Sequence, residues 1–319
     1  MTTIRPMYEG DFDAVRQVHA EAFGAYWRQQ GDETATLPPR TRASVRASWE
    51  RDPGGCFVAH EGERVVGCIF SRTWGSVGWF GALAVLPECQ GQGIGQRLIA
   101  ASLEYLRQEP GRVVGLETMP ESEYNLGLYL RHGFESRCLR FTLGKGLEQP
   151  EGSAGEVQPW SQAGARTQER WLGELREASG QIQPGLDYTK EITVTVRHGL
   201  GEALVLMRGG RASGFSVVRL ASVQEGQNEE VAGIQALALH PAHTNPETFR
   251  ALLEASEGLA WARGKQWLAA PVYGGHTWAL RQMLAWGYRV DYAMVRMVLE
   301  GTGAECRTDG YANLSAWAG

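Results

Sequence analysis

Three glycines at alternate positions, Gly91, Gly93 and Gly95, separate a strand-like run ending at Pro87 from an amphipathic run that begins near Gln96. Glycine adopts positive φ and lets a ligand approach the backbone closely. The first amides of a helix have no intrahelical acceptor and carry the positive end of its dipole. The segment Gln90-Gly91-Gln92-Gly93-Ile94-Gly95-Gln96 therefore has the chemistry of an anion cradle, able to hold a pyrophosphate without a basic side chain. A glycine-rich helix start can also serve only to turn the chain, and these residues alone leave both readings open. No Gly-Lys-Ser/Thr follows for a P-loop, and the preceding strand sits in an antiparallel run, which disfavours a dinucleotide site.

The elements that must position this turn follow from periodicity. Alternating or continuous apolar runs predict strands over 3–5, 56–60, 64–70, 77–85, 112–117 and 137–143, the second and third joined by a hairpin turn at Glu61-Gly62-Glu63. Helical spacing predicts helices over 11–23, 96–107 and 124–131. The second half repeats the first. Ala82-Leu83-Ala84-Val85-Leu86-Pro87 matches Ala236-Leu237-Ala238-Leu239-His240-Pro241 at an offset of 154 residues (236 − 82). Gly133-Phe134 falls on Gly287-Tyr288, and Leu98-Ile99 on Leu252-Leu253, at the same offset. Several matches in one register indicate an internal duplication.

The 319 residues are 43% hydrophobic and 21% charged, which predicts ordinary globular cores and excludes a disordered or fibrous chain. A net charge of −5 gives no broad basic surface for nucleic acid. Most of that charge lies in 147–158, where three Glu and no basic residue mark an acidic linker. No apolar stretch is long enough to span a membrane and no secretory signal opens the chain, so a cytoplasmic protein is expected. The five cysteines, Cys56, Cys68, Cys89, Cys138 and Cys306, form no C-x-x-C pair and read as reduced thiols. His240 and His243 share a turn with no Cys or third His nearby, so no metal site is expected.

The chain resembles the GNAT superfamily of acetyl-CoA-dependent N-acetyltransferases. Gln90 to Gly95 is similar to that family's Q/R-x-x-G-x-G/A signature, and 122–129 followed by Gly133-Phe134 is similar to its tyrosine-bearing helix and Gly-Phe turn. The likeness covers about 3–146 with its functional motifs and about 159–300 as a faded copy. It implies an α/β (α+β) fold of two tandem GNAT-like domains, each a mixed, mostly antiparallel twisted sheet flanked by helices. The boundaries expected are 1–146 for the acetyl-CoA-binding domain, 147–158 for the linker and 159–319 for the degenerate copy.

The resemblance also implies roles. Leu83, Ala84 and Val85 would run beside the pantetheine arm of acetyl-CoA. Gln90, Gly91, Gln92, Gly93, Ile94, Gly95 and Gln96 would cradle its pyrophosphate, and Ser122 and Asn125 would lie near the departing pantetheine. Tyr129 is the candidate general acid for the leaving thiolate, a core aromatic being the plain alternative. The family's frequent strand Glu is replaced here by Gly81, so the base would be Glu117 or a water held by backbone carbonyls, with His19 and Glu21 as further candidates. Glu117 otherwise reads as a solvated strand-end carboxylate. Phe23, Tyr26 and Trp27 either line an amine pocket or pack their helix.

The implied reaction is transfer of acetyl to a primary amine of a small molecule, by direct attack in a ternary complex. The rival is a non-catalytic acyl-CoA-binding module that regulates or binds a partner. Neither nucleic acid nor a membrane is expected as partner, and the oligomeric state is open. The 154-residue offset puts Gln90 on Thr244, Gly93 on Glu247, Gly95 on Phe249 and Tyr129 on Met283, so the second copy should lack the CoA motif.

Overall fold

A computed structural model describes residues 1–149, 155–302 and 313–315. The first repeat runs β1 (Thr3–Pro6), α1 (Phe12–Gln29), α2 (Arg42–Arg51), β2 (Phe57–Glu61), β3 (Arg64–Trp74), β4 (Val77–Val85), α3 (Ile94–Leu106), β5 (Val113–Thr118), α4 (Glu123–Arg131) and β6 (Phe134–Gly146). The second runs β7 (Val157–Pro159), α5 (Ala165–Ile182), α6 (Thr189–Arg197), β8 (Gly201–Arg208), β9 (Arg211–Arg219), β10 (Val231–Leu239), α7 (Pro246–Ala262), β11 (Trp267–Tyr273), α8 (Thr277–Ala285), β12 (Arg289–Leu299) and β13 (Asn313–Ser315).

The 154-residue offset holds element by element through the central part of each repeat. Strand β4 maps onto β10 and α4 onto α8 residue for residue, and the parallel pair Val77↔Val113 recurs as Val231↔Trp267. Helix α1 extends six residues beyond its expected end, its last three residues exposed, and β3 continues through Trp74, which is buried in the core between the repeats. Val157 and Gln158, at the end of the segment read as linker, open β7 and pair with Leu206 and Val205.

Among the described residues the strands form one sheet in the order β1-β2-β3-β4-β5-β12-β6-β11-β10-β9-β8-β7. Two equivalent strands, β6 and β12, are exchanged between the repeats: β12 lies between β5 and β6, and β6 lies between β12 and β11. Long-range antiparallel pairing of β6 with β12 joins the halves from Phe134↔Leu299 to Arg289↔Gly144. A core shared by both repeats packs Trp74, Val77 and Trp79 against Trp160, Trp171 and Tyr188. Each fully buried large apolar side chain contributes on the order of 1.5–3 kcal/mol, so this core holds the repeats as one body. Among the described residues no helix is long and apolar enough to cross a membrane.

Candidate active site

Strand β4 creates the cleft by parting from its neighbour. It pairs in parallel with β5 only through Val77, Gly78 and Trp79, so among the described residues the edge beyond Phe80 has no strand partner on that side. Opposite β3, the pairs Ile69↔Leu83 and Ser71↔Phe80 set three steps on β4 against two on β3, a bulge at Gly81 and Ala82. Bulges of this kind re-aim backbone groups beside functional sites. The resulting cavity, about 1250 Å³, is lined by Phe80 to Val85, by the Gln90 to Gln96 turn without Gln92, whose side chain turns back to Glu88 O, and by residues of α1 and α4.

The glycine turn is built as an open cradle. Gln90 Nε2 donates to Val85 O at 3.0 Å, tying the turn to the end of β4. Gly91 and Gly93 both sit at φ +76°, and Gly93 is the N-cap of α3. No side chain caps this helix. A Cβ on Gly93 would meet nothing nearer than Gln96 Oε1 at 4.0 Å, so the space before the free amides is open. The second repeat differs at each point. Asn245 Oδ1 accepts from Thr248 N at 3.0 Å and caps α7. Phe249, at the position of Gly95, is fully buried against Trp278 and Trp286. Strand β13 pairs with Ala236, Leu237 and Ala238 of β10, the positions that correspond to Ala82, Leu83 and Ala84, and so fills the second slot.

Tyr129 lies on α4 with its ring against Phe80 and Phe134, at centroid distances of 6.0 and 6.2 Å, and it lines the cleft. Burial, with Tyr124 adding, pushes its hydroxyl well above the ordinary phenol range, so it keeps its proton at neutral pH. Ser122 and Asn125 line the same cleft, and Ser122 Oγ caps α4 by accepting from Asn125 N at 3.4 Å. Phe23, Tyr26 and Trp27 line it from α1, with Trp27 the most open at 38% exposure. His19 stacks on Phe23 at 4.5 Å, and burial, reinforced by Arg40, pushes it down to about 3. Glu21 is exposed and lies outside the lining.

Glu117 is not the solvated strand-end carboxylate that its position in the sequence suggests. It lines the cleft with its side chain wholly buried, accepting from Arg140 Nε at 3.0 Å and from Arg296 Nη2 and Nε at 2.7 and 3.1 Å. Burial alone would raise its carboxyl, but the two guanidinium groups outweigh that and hold it below the ordinary carboxylate range. A carboxylate so clamped is a weak proton acceptor. The strand exchange explains why this was not legible: Arg296 arrives on β12, from 179 residues away.

The second repeat supplies the remaining wall, through Arg219, Gln224, Gly233 to Gln235, Ala269 to Pro271, Tyr292 and Met294. None of these was singled out from sequence, nor was Arg72, which continues an apolar strand and lines the cleft from β3. An arginine inside such a run was the available signal. The rings of His240 and His243 stand 5.4 Å apart, and among the described residues no three His, Cys, Asp or Glu side chains cluster as a metal site would require. Cys306 lies outside the described residues.

Residues 12–134 match the acetyltransferase (GNAT) family. A mycothiol acetyltransferase of Cellulomonas flavigena is 33% identical over 135 residues, 39% of this chain and 37% of that protein. The chain thus spans less than half the length of the mycothiol acetyltransferases it matches. An uncharacterized N-acetyltransferase of Methanocaldococcus jannaschii is 31% identical over 139 residues, 43% of this chain and 80% of that protein. In fold, a crystal structure of a Pyrococcus horikoshii protein described as a candidate acetyltransferase superposes with a TM-score of 0.70 at 18% identity, covering 99% of this chain and 95% of its own. A tandem GNAT protein from the clavulanic acid biosynthesis pathway gives 0.59 at 16%, covering 96% and 100%.

Proposed function

Because the chain belongs to the GNAT family of acetyltransferases, in a tandem arrangement, we propose that its first repeat transfers acetyl from acetyl-CoA directly to the amine of a small molecule. The observation that carries this reading is the parting of β4 from β5 in front of an uncapped α3. The free edge of β4 can pair with the amides of a pantetheine arm, and the first amides of α3 can bind its pyrophosphate.

In this reading the amine nitrogen attacks the thioester carbon, forming the C–N bond while the carbonyl oxygen takes up negative charge. A backbone N–H at the β4 bulge, fixed before reaction, stabilises that charge. As the intermediate collapses the C–S bond breaks, and Tyr129 gives its proton to the departing thiolate. The proton lost by the amine leaves through water and backbone carbonyls, since Glu117 is held ionised by two arginines and His19 is pushed down to about 3. Direct attack fits the thiols: burial raises Cys89, the cysteine lining the cleft, and pushes Cys56 and Cys68 up to about 12, so none is primed to carry acetyl.

A small acceptor fits a cleft walled by α1 on one side and by the second repeat on the other. The second repeat serves as strand donor and wall and binds no CoA, its slot being filled by β13 and Phe249. Domain boundaries of 1–146 and 159–319 then describe the duplicated chain segments, while β6 and β12 are exchanged between the folded sheets. Initial rates with both substrates varied test the reaction order. Intersecting double-reciprocal lines are expected; parallel lines would replace direct attack with a covalent acetyl-enzyme.

A further inference from the structure

The buried groups around Arg72 and Arg219 carry more positive charge than the carboxylates beside them neutralise. Glu191 is engaged by Arg51 at 2.9 Å and by Trp74 Nε1 at 3.0 Å, and Glu117 by Arg140 and Arg296. Arg40, Arg72 and Arg219 have no carboxylate partner among the described residues. Arg40 and Arg72 share the hydroxyl of Ser48, each at 3.2 Å. Arg72 is 4% exposed and its Nε is buried without a hydrogen-bond partner. The Arg219 side chain makes no hydrogen bond or ion pair among the described residues. Both Arg72 and Arg219 line the cleft, one from each repeat.

Burying a guanidinium without a counter-charge costs several kcal/mol unless something in the working state supplies the charge. Burial and neighbouring guanidinium groups push Arg72 down to about 10 and Arg40 down to about 9, and burial with Arg51 lowers Arg219; Glu191, already bound to Arg51, offsets only part of this at Arg72 and Arg219. The position suits the acceptor better than CoA. Arg72 stands opposite Trp79, two residues from the Gly81 bulge, on the side of β3 that meets Ser48 of α2. Its neighbour Ser71 turns the other way and bonds Ser102 of α3, the helix whose start forms the pyrophosphate cradle. At about 3.3 Å per residue, Trp79 stands about 7 Å along β4 from Gly81.

We propose that the acyl acceptor is an amine that also bears an anionic oxyacid group, and that Arg72 of the first repeat and Arg219 of the second clamp that group. This rests on the acetyl-transfer reading of the same cleft. It also gives the second repeat a part in specificity, since Arg219 enters from β9. Guanidinium forks match carboxylate and phosphate oxygens alike, so the class is defined by the anion and not by its central atom.

The test uses matched acceptors on the whole chain: short aminoalkyl carboxylates, the corresponding phosphonates, and their neutral carboxamides. The charged members are expected to have KM values about 10- to 150-fold below the carboxamides, the range for one to two charge-assisted hydrogen bonds. Arg219→Gln and Arg72→Gln should erase that preference while leaving the affinity for acetyl-CoA unchanged. The comparison on the unaltered protein needs no variant to fold. Equal KM values for charged and neutral members would overturn the clamp and leave acetyl transfer standing. If no amine is acetylated, the acetyl-transfer reading fails, and calorimetric binding of the same pairs decides the clamp: charge-dependent binding lost in Arg219→Gln supports it, and charge-independent or absent binding overturns it.

Discussion

Arg140 on β6 stands opposite Met294 on β12, its own counterpart 154 positions on (294 − 140), so the local two-fold axis relating the repeats passes between them. Arg140 Nη2 donates to Met294 Sδ across that axis at 2.9 Å. The symmetry stops at the side chains. Where the first repeat has Glu117 the second has Pro271, and where the first has Thr142 the second has Arg296. The ion-pair cluster at the axis is thus built from unequal halves of a duplicated sequence, on the floor of the cleft.

Glu117 is the only carboxylate between Arg140 and Arg296 among the described ion pairs. Replacing it by Gln leaves two buried guanidinium groups uncompensated, which costs about 3–5 kcal/mol. Urea unfolding of Glu117→Gln should register that loss at pH 7. Because the folded carboxyl is held low, its stabilisation is present above the ordinary carboxylate range and fades as pH falls through the lowered value, so the gap between the two proteins should narrow in acid. Equal stability at pH 7 would show that the pair does not hold the strand exchange together.

His19 gives the protein a separate acid sensitivity. Its folded value of about 3 lies below the ordinary 6.5, so between these pH values the unfolded chain binds a proton that the folded chain refuses. Stability must fall as pH drops below 6.5, by about 2 kcal/mol at pH 5 from this group. His19→Phe keeps the stacking on Phe23 and should flatten the profile between pH 7 and 5. Parallel profiles for the two proteins would contradict the assigned burial.

Gly93 separates the working turn from the lost one. Gly93→Glu copies Glu247, places a carboxylate at the anion cradle, and forces a side chain onto φ +76° at a cost of about 1–2 kcal/mol. Calorimetric binding of acetyl-CoA should disappear, while Gly93→Asn, uncharged and tolerant of that φ, should weaken it only in part. Unchanged affinity in Gly93→Glu would remove the pyrophosphate assignment.

Local pattern carried much of the fold. Strand β4 begins and ends at its expected residues, α4 departs by one, and the offset read from Ala82 and Ala236 reappears in the register of the sheet. The glycine turn was legible because positive φ and free amides are properties of the segment itself. Helix α2 was not, since its ten residues include three Arg and one Glu and its apolar face is narrow. Nor was the exchange of β6 and β12, because pairing between strands more than 140 residues apart leaves no periodic trace. The same holds for Glu117, whose partner Arg296 comes from the other repeat, and for Arg72 and Arg219, which the fold brings to one cleft from β3 and β9.

Initial-rate acetyl transfer from acetyl-CoA across a panel of amines, with Tyr129→Phe run beside the unaltered protein, bears most directly on the central claim. The expected result is an N-acetylated amine identified by mass, with kcat reduced about 10²- to 10⁴-fold in Tyr129→Phe and the KM for acetyl-CoA little changed. Tight acetyl-CoA binding with no amine acetylated would contradict it and leave a binding module in place of an enzyme.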